Sequence, residues 1–197
     1  SVGIDIIGSL IHDVYDPSGT ARAQGLNLRH SSDVRVIGCA LFRNGWDGAK
    51  RPKNWGQNHN AYLTNIKRLA WHGNLSTGGS SSGLKLSTND HHGLADASIA
   101  DCIFTDQPHA FSLSASRTPE DYQHHRVRVS RVLSIDSGRT QISLQSCDDA
   151  RFEDVLIAGG GGRPSGSAVV QIDNRPQRNV VFDRIRIEDA PMRPGHS

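Results

Sequence analysis

This chain is poor in aromatics, in net charge, in cysteine and in long apolar runs, and each shortage removes a class of explanation. Phe, Trp and Tyr together make up 6% of the 197 residues, while Gly, Ser, Asn and Asp fill the gaps between short apolar runs. That is the balance of many short strands joined by polar turns. The formal net charge is only +2 and the isoelectric point about 8.6, so no global basic field argues for nucleic acid. No apolar stretch approaches membrane-spanning length, and no signal-peptide pattern is present. Apolar faces of helical period over ten or more residues are also missing, which argues against a helical repeat protein.

What is present is a repeat. The segments GLNLR (25–29), AYLTN (61–65), GLKLS (83–87), AFSLS (110–114), QISLQ (141–145) and VVQID (169–173) share one local frame. Their central residues Leu28, Leu63, Leu86, Leu113, Leu144 and Ile172 follow one another at intervals of 35, 23, 27, 31 and 28. A second cluster follows each: Val34/Val36/Cys39, Leu69/Trp71/Asn74, Ala97/Ile99/Cys102, Val127/Val129/Val132, Phe152/Val155 and Val180/Phe182/Ile185. Both clusters alternate with the period of a strand, and the distance between them varies, as expected when stacked coils keep their strands and accept insertions at their turns. The expectation is an all-β fold, a right-handed parallel β-helix solenoid of about six to seven coils.

The three cysteines are an odd number. Cys39 and Cys102 hold one frame position with Asn74 between them, so two coil rises of about 4.8 Å separate them, too far for a disulfide. They are expected to be reduced, inward-facing filler. Ile4, Ile6 and Ile11 match the register of Val34, Val36 and Leu41, so the chain starts within a coil. Residues 1–197 are therefore read as one β-helix domain without its N-terminal coil or cap, with oligomer contacts through its open coil ends as a further expectation.

The repeat resembles the right-handed parallel β-helix superfamily of pectate-lyase-like, carbohydrate-active proteins. The runs Asn58-His59-Asn60-Ala61-Tyr62-Leu63 and Ser81-Ser82-Gly83-Leu84-Lys85-Leu86 look like those of bacterial members. The calcium-binding and catalytic motifs of well-known pectate lyases are not evident. The resemblance implies a polysaccharide partner rather than nucleic acid or membrane, and a secreted or periplasmic location.

Alternation places Asn27, Tyr62, Lys85, Ser112, Ser143 and Gln171 on the outer face, flanked by Arg29, Thr64, Ser87, Ser114, Gln145 and Asp173. A coil rise is close to the length of one sugar, so such a face can read a polysaccharide unit by unit. The loop 43–58 interleaves Trp46 and Trp55 with Arg43, Lys50, Arg51 and Lys53, a composition suited to an acidic glycan, or else to a solvated surface loop. The insertions 87–96 and 117–125 bring Asp90, His91, His92, Asp121, Tyr122, His124 and His125 to the other edge. They are compatible with a divalent cation such as calcium, although no fixed ligand spacing is satisfied and no cofactor is required.

The leading expectation is a lyase that cleaves a uronic-acid-containing glycan by β-elimination. Arg29 or the cations of the loop 43–58 would neutralise the uronate, Lys85 or His59 would take the C5 proton, and Tyr62 would protonate the leaving oxygen. Asn27, Trp46, Trp55, Lys53, Asn60 and Ser112 would bind substrate. Two other readings stay open. One is a non-catalytic glycan-binding, adhesive or fibre-type β-helix; the other is a glycoside hydrolase, which needs paired carboxylates that the face lacks, leaving only Asp47, Asp90 and Asp121 on the walls.

Overall fold

The computed structural model describes residues 2–15, 23–46, 55–88, 93–115, 124–138, 140–159, 169–172 and 177–188, with Trp55 described in its backbone only. The strands are β1 (Val2–Ile7), β2 (Leu10–His12), β3 (Leu26–Ile37), β4 (Ala40–Phe42), β5 (Ala61–His72), β6 (Leu75–Thr77) and β7 (Ser82–Thr88), then β8 (Leu94–Thr105), β9 (His109–Ala115), β10 (His124–Ile135), β11 (Ile142–Leu144), β12 (Cys147–Ala158), β13 (Val170–Ile172) and β14 (Arg178–Glu188). They belong to one 14-stranded sheet, and its pairings are parallel. The protein is all-β and solenoid-like. One stack runs β3-β5-β7-β9-β11-β13, a second β1-β3-β5-β8-β10-β12-β14, and β2, β4 and β6 lead a third into β8.

The register follows the repeat frame residue for residue. Leu28 pairs with Leu63, Leu63 with Leu86, Leu86 with Leu113, Leu113 with Leu144 and Leu144 with Ile172. Ile4 lies against Val34, Ile6 against Val36 and Ile11 against Leu41. The four central leucines are fully buried. The outer two are not: Leu28 is half-buried and Ile172 is 51% exposed. The six residues stack in line as the repeat frame implies, but burial is incomplete at the ends, where a rung has a neighbour on one side only.

Several strands run twelve residues through a corner rather than ending at it. The reason is local. The corners are single residues in the left-handed region, and the ladder closes again immediately after them. One column of corners is Gly3, Asp33, Arg68, Asp96, Arg126, Asp149 and Asn179; a second is Gly8, Gly38, Gly73, Asp101, Arg131, Asp154 and Arg184. Gly, Asp and Asn tolerate this conformation better than most residues. The arginines that share it are braced by neighbouring rungs: Arg68 grips Asp33 at 2.5 and 2.6 Å, Arg126 grips Asp96 at 2.5 and 2.9 Å, and Arg131 grips Asp101 at 2.6 and 2.8 Å.

Cys39, Asn74 and Cys102 stack in line, since the residues that follow them pair as Ala40–Leu75 and Leu75–Ile103. Both cysteines are free and buried, as is Cys147. The Cys39 N–H donates to Asn74 Oδ1 at 2.8 Å, and Asn74 Nδ2 donates to the Val36 carbonyl at 2.8 Å. The asparagine thus satisfies both an interior N–H and an interior carbonyl, whereas Cys39 and Cys102 each offer a thiol to the equivalent carbonyl, of Ile6 and of Trp71, at 3.4 Å.

Candidate functional site: the outer ladder around Tyr62

The first stack fixes the candidate site. Asn27 pairs with Tyr62, Tyr62 with Lys85, Lys85 with Ser112, Ser112 with Ser143 and Ser143 with Gln171, so these six form one column. Asn27 and Gln171 are exposed; Tyr62, Lys85, Ser112 and Ser143 are half-buried. Spacing along the column is set by the strand separation of about 4.8 Å.

Tyr62 sits between two cations. The Arg29 guanidinium carbon lies 6.0 Å and Lys85 Nζ 5.7 Å from its ring centroid. Arg29 Nε also donates to Asn27 Oδ1 at 3.3 Å, which orients it along the column. The flanking positions Thr64 and Ser87 differ from the open outer face expected of them. Both are buried. They face the Tyr62 phenol, although Thr64 Oγ1 is not aligned for a full hydrogen bond there and finds no other partner. Burial alone would push this phenol up. Its interactions with Ser87 and Thr64 and the charges of Lys85 and Arg29 outweigh burial and hold it below its usual 10.0.

Charge is distributed unevenly. Among the described residues, the arginines at 35, 43, 68, 126, 128, 131, 151, 178, 184 and 186 each pair with a carboxylate. Arg29 does not. No described residue of the outer column or its flank is a carboxylate. Arg29 therefore brings to the Tyr62 ring a positive charge that no described carboxylate neutralises.

Two expected site residues lie inside instead. His59 is 2% exposed, and its Nδ1 accepts from the Ser82 N–H at 3.3 Å. That bond leaves the ring proton on Nε2. Burial first, then the charges of Lys85 and His109, hold His59 well below its usual 6.5. It does not titrate near neutrality as a free base would, and its ring packs 5.4 Å from that of Tyr62. Asn60 is fully buried. It accepts from the Asn44 N–H and Nδ2 at 3.1 and 3.0 Å, and its own amide donates to Ser76, Thr77 and Leu41. Alternation counted back from Leu63 put Asn60 outward. The chain turns a corner between Asn58 and Ala61, and that reverses the count.

Trp46 is half-buried and donates its indole N–H to the Gly78 carbonyl at 2.6 Å, so it is fixed at the corner before β7. Lys53, the Trp55 side chain, Asp47, Lys50, Arg51, Asp90, His91, His92, Asp121, Tyr122 and Asp173 lie outside the described residues. His124 and His125 were expected in a loop, but β10 begins at His124. His124 faces inward on a rung between Leu94 and Cys147, and burial pushes it down to about 3. His125 turns its Nδ1 to Asp148 at 3.3 Å. Among the described residues no three metal-ligating side chains converge.

Sequence reasoning missed the corner beside this column. His30, Ser31, Ser32, Asn65 and Lys67 line a cavity of about 260 Å³ there. The sequence signal is the cation at 67, between the segment AYLTN (61–65) and the cluster that begins at Leu69. No family model and no curated protein matches the chain.

Proposed function

We propose that the protein is a carbohydrate-active right-handed parallel β-helix of the pectate-lyase-like kind. It binds an acidic, uronic-acid-containing polysaccharide along the outer column and cleaves it by β-elimination, outside the cell or in the periplasm. The observation that carries this reading is the ladder itself: a tyrosine with a lowered phenol pKa between Arg29 and Lys85, with no carboxylate among the described residues of the face.

The chemistry follows from that arrangement. Arg29 pairs with the uronate carboxylate, which makes the C5 proton more acidic and stabilises the charge that develops as it leaves. A base takes that proton, the C4–O bond breaks, C4 and C5 become doubly bonded, and an acid protonates the departing oxygen. Tyr62 supplies the acid, and Lys85 supplies the base once it has given up its proton and with it the charge that lowers the phenol. His59, buried with its Nδ1 already accepting a hydrogen bond, has the role of holding the Tyr62 ring. A hydrolase would need two carboxylates across the scissile bond, and the described column offers none.

The test is incubation of the protein with a panel of acidic polysaccharides. Elimination leaves an unsaturated uronate that absorbs in the ultraviolet, whereas hydrolysis and binding do not. Rising absorbance supports the reading. Binding without any product assigns the ladder to a glycan-binding protein, and new reducing ends without absorbance assign it to a hydrolase.

A further inference from the structure

We propose that the corner cavity lined by His30, Ser31, Ser32, Asn65 and Lys67 is a subsite for a sulfate ester, so that the preferred glycan is a sulfated one. This rests on the reading that the outer column binds an acidic polysaccharide.

The cavity follows from the fold. His30 and Asn65 occupy the same corner on neighbouring rungs, both in the left-handed region, with φ of 49° and 53°. Beyond the corner Ser31 pairs with Ile66 and Ser32 with Lys67. Ile66 is fully buried, so the chain dips inward there, and Ser32 and Lys67 frame the hollow it leaves. At about 260 Å³, the hollow falls below the range of about 300–1,000 Å³ that encloses a whole small molecule. It suits one substituent of a chain that lies elsewhere.

Lys67 is the cation of its lining. The acids on the rungs to either side of it, Asp33 and Asp96, are held by both arms of Arg68 and of Arg126, which leaves Lys67 without an ion-paired acid among the described residues. None of the five lining residues is a carboxylate. The Ser31 hydroxyl donates to the Arg29 carbonyl at 3.0 Å, so the ligand's hydrogen bonds come from the Lys67 ammonium and the Ser32 hydroxyl. A compact ammonium with three rotatable donors suits an oxyanion of three terminal oxygens, while the planar fork that matches a carboxylate, Arg29, stands on the column.

Position supports the assignment. Arg29, whose guanidinium lies over the Tyr62 ring, is followed directly by His30, which lines the cavity. A group hanging from a sugar bound beside Arg29 therefore lies next to the cavity.

The experiment is titration calorimetry of the intact protein with two matched pairs: chondroitin against chondroitin sulfate, and alginate against chemically sulfated alginate. The expected result is at least tenfold tighter binding of the sulfated member of a pair. Lys67→Ala should abolish that preference and leave affinity for the unsulfated member unchanged, and Lys67→Gln should behave alike. Circular dichroism checks that both variants keep the strand spectrum. Sodium sulfate should compete no better than sodium chloride of equal ionic strength. Equal affinity within both pairs, or a preference that survives Lys67→Ala, overturns the sulfate subsite while the column reading stands. Free sulfate binding as tightly as the sulfated glycan overturns the ester assignment. Failure to bind either pair removes the column reading and this inference with it.

Discussion

Acid should loosen this fold through His124 before it reaches the carboxylates. The imidazole is fully buried, neither ring nitrogen makes an aligned hydrogen bond among the described residues, and burial, against a smaller opposing pull from the Ser114 backbone, holds it down to about 3 from an ordinary 6.5. Between those two values the unfolded chain carries a proton on His124 that the folded chain does not. The stability contribution is therefore fully present above 6.5 and is lost as pH falls toward 3. Integrated from pH 7 to pH 5, a shift of this size removes on the order of 2 kcal/mol. That interval lies above the range in which ion-paired aspartates such as Asp33, Asp96 and Asp101, all held below their ordinary values by arginine partners, begin to protonate. Urea unfolding of the wild type and of His124→Leu at both pH values measures it, provided the denaturant slopes agree. The variant should match or exceed wild-type stability at pH 7, because it removes two unpartnered buried nitrogens. It should also lose about 2 kcal/mol less than the wild type on going to pH 5. His59 shifts in the same direction but contributes equally to both proteins, so the difference belongs to His124. Equal pH dependence of the two proteins, or an NMR titration of His124 with its midpoint near neutrality, would refute this reasoning.

Three further outcomes follow from the same geometry. Leu86→Ala, at a fully buried central rung, should cost about 3–5 kcal/mol, whereas Ile172→Ala, at a half-exposed end rung, should cost under about 1 kcal/mol; equal costs in urea titrations would contradict the ladder. Burial pushes the Cys102 thiol up to about 11 and the Cys147 thiol up to about 12, so a thiol reagent at neutral pH should label either only as fast as the protein opens, and rapid labelling would place them outside. In an alkaline spectrophotometric titration of the three tyrosines, Tyr62 should ionise earlier than its ordinary 10.0. Tyr62→Phe should remove that early phase and not a late one.

The stacked register was legible in the sequence because inward apolar rungs recur in one frame and a one-residue slip would expose every rung. Leu63, Leu86, Leu113 and Leu144, the Cys39–Asn74–Cys102 line and the column of Tyr62 and Lys85 all follow from that rule. Corners obey a different one. At Asn58, His59 and Asn60 the chain turns, alternation stops, and His59 and Asn60, expected to meet substrate, fold into the interior along with Asn58. Neighbouring glycines were the overlooked sign. A Cβ at Gly83 would stand 2.7 Å from Phe104, and one at Gly79 would stand 2.9 Å from the Asn60 amide. The chain keeps side chains small where an interior amide network needs room. His124 escaped for a related reason: a polar residue heading a rung between Leu94 and Cys147 reads as the end of a loop until its partners are known. The alternation of Asp and Arg along the corner columns was visible in principle, but it connects residues about thirty positions apart that only the register brings together.

In the proposed mechanism Tyr62 moves a proton on an acidic glycan bound along the outer column. The deciding comparison is of wild type with Tyr62→Phe on a polysaccharide that yields ultraviolet-absorbing product, with turnover and calorimetric affinity measured on the same samples. Loss of the phenol's hydroxyl should lower turnover at least about a hundredfold and change affinity far less, because the ring and its flanking cations remain. Undiminished turnover in Tyr62→Phe would contradict the account.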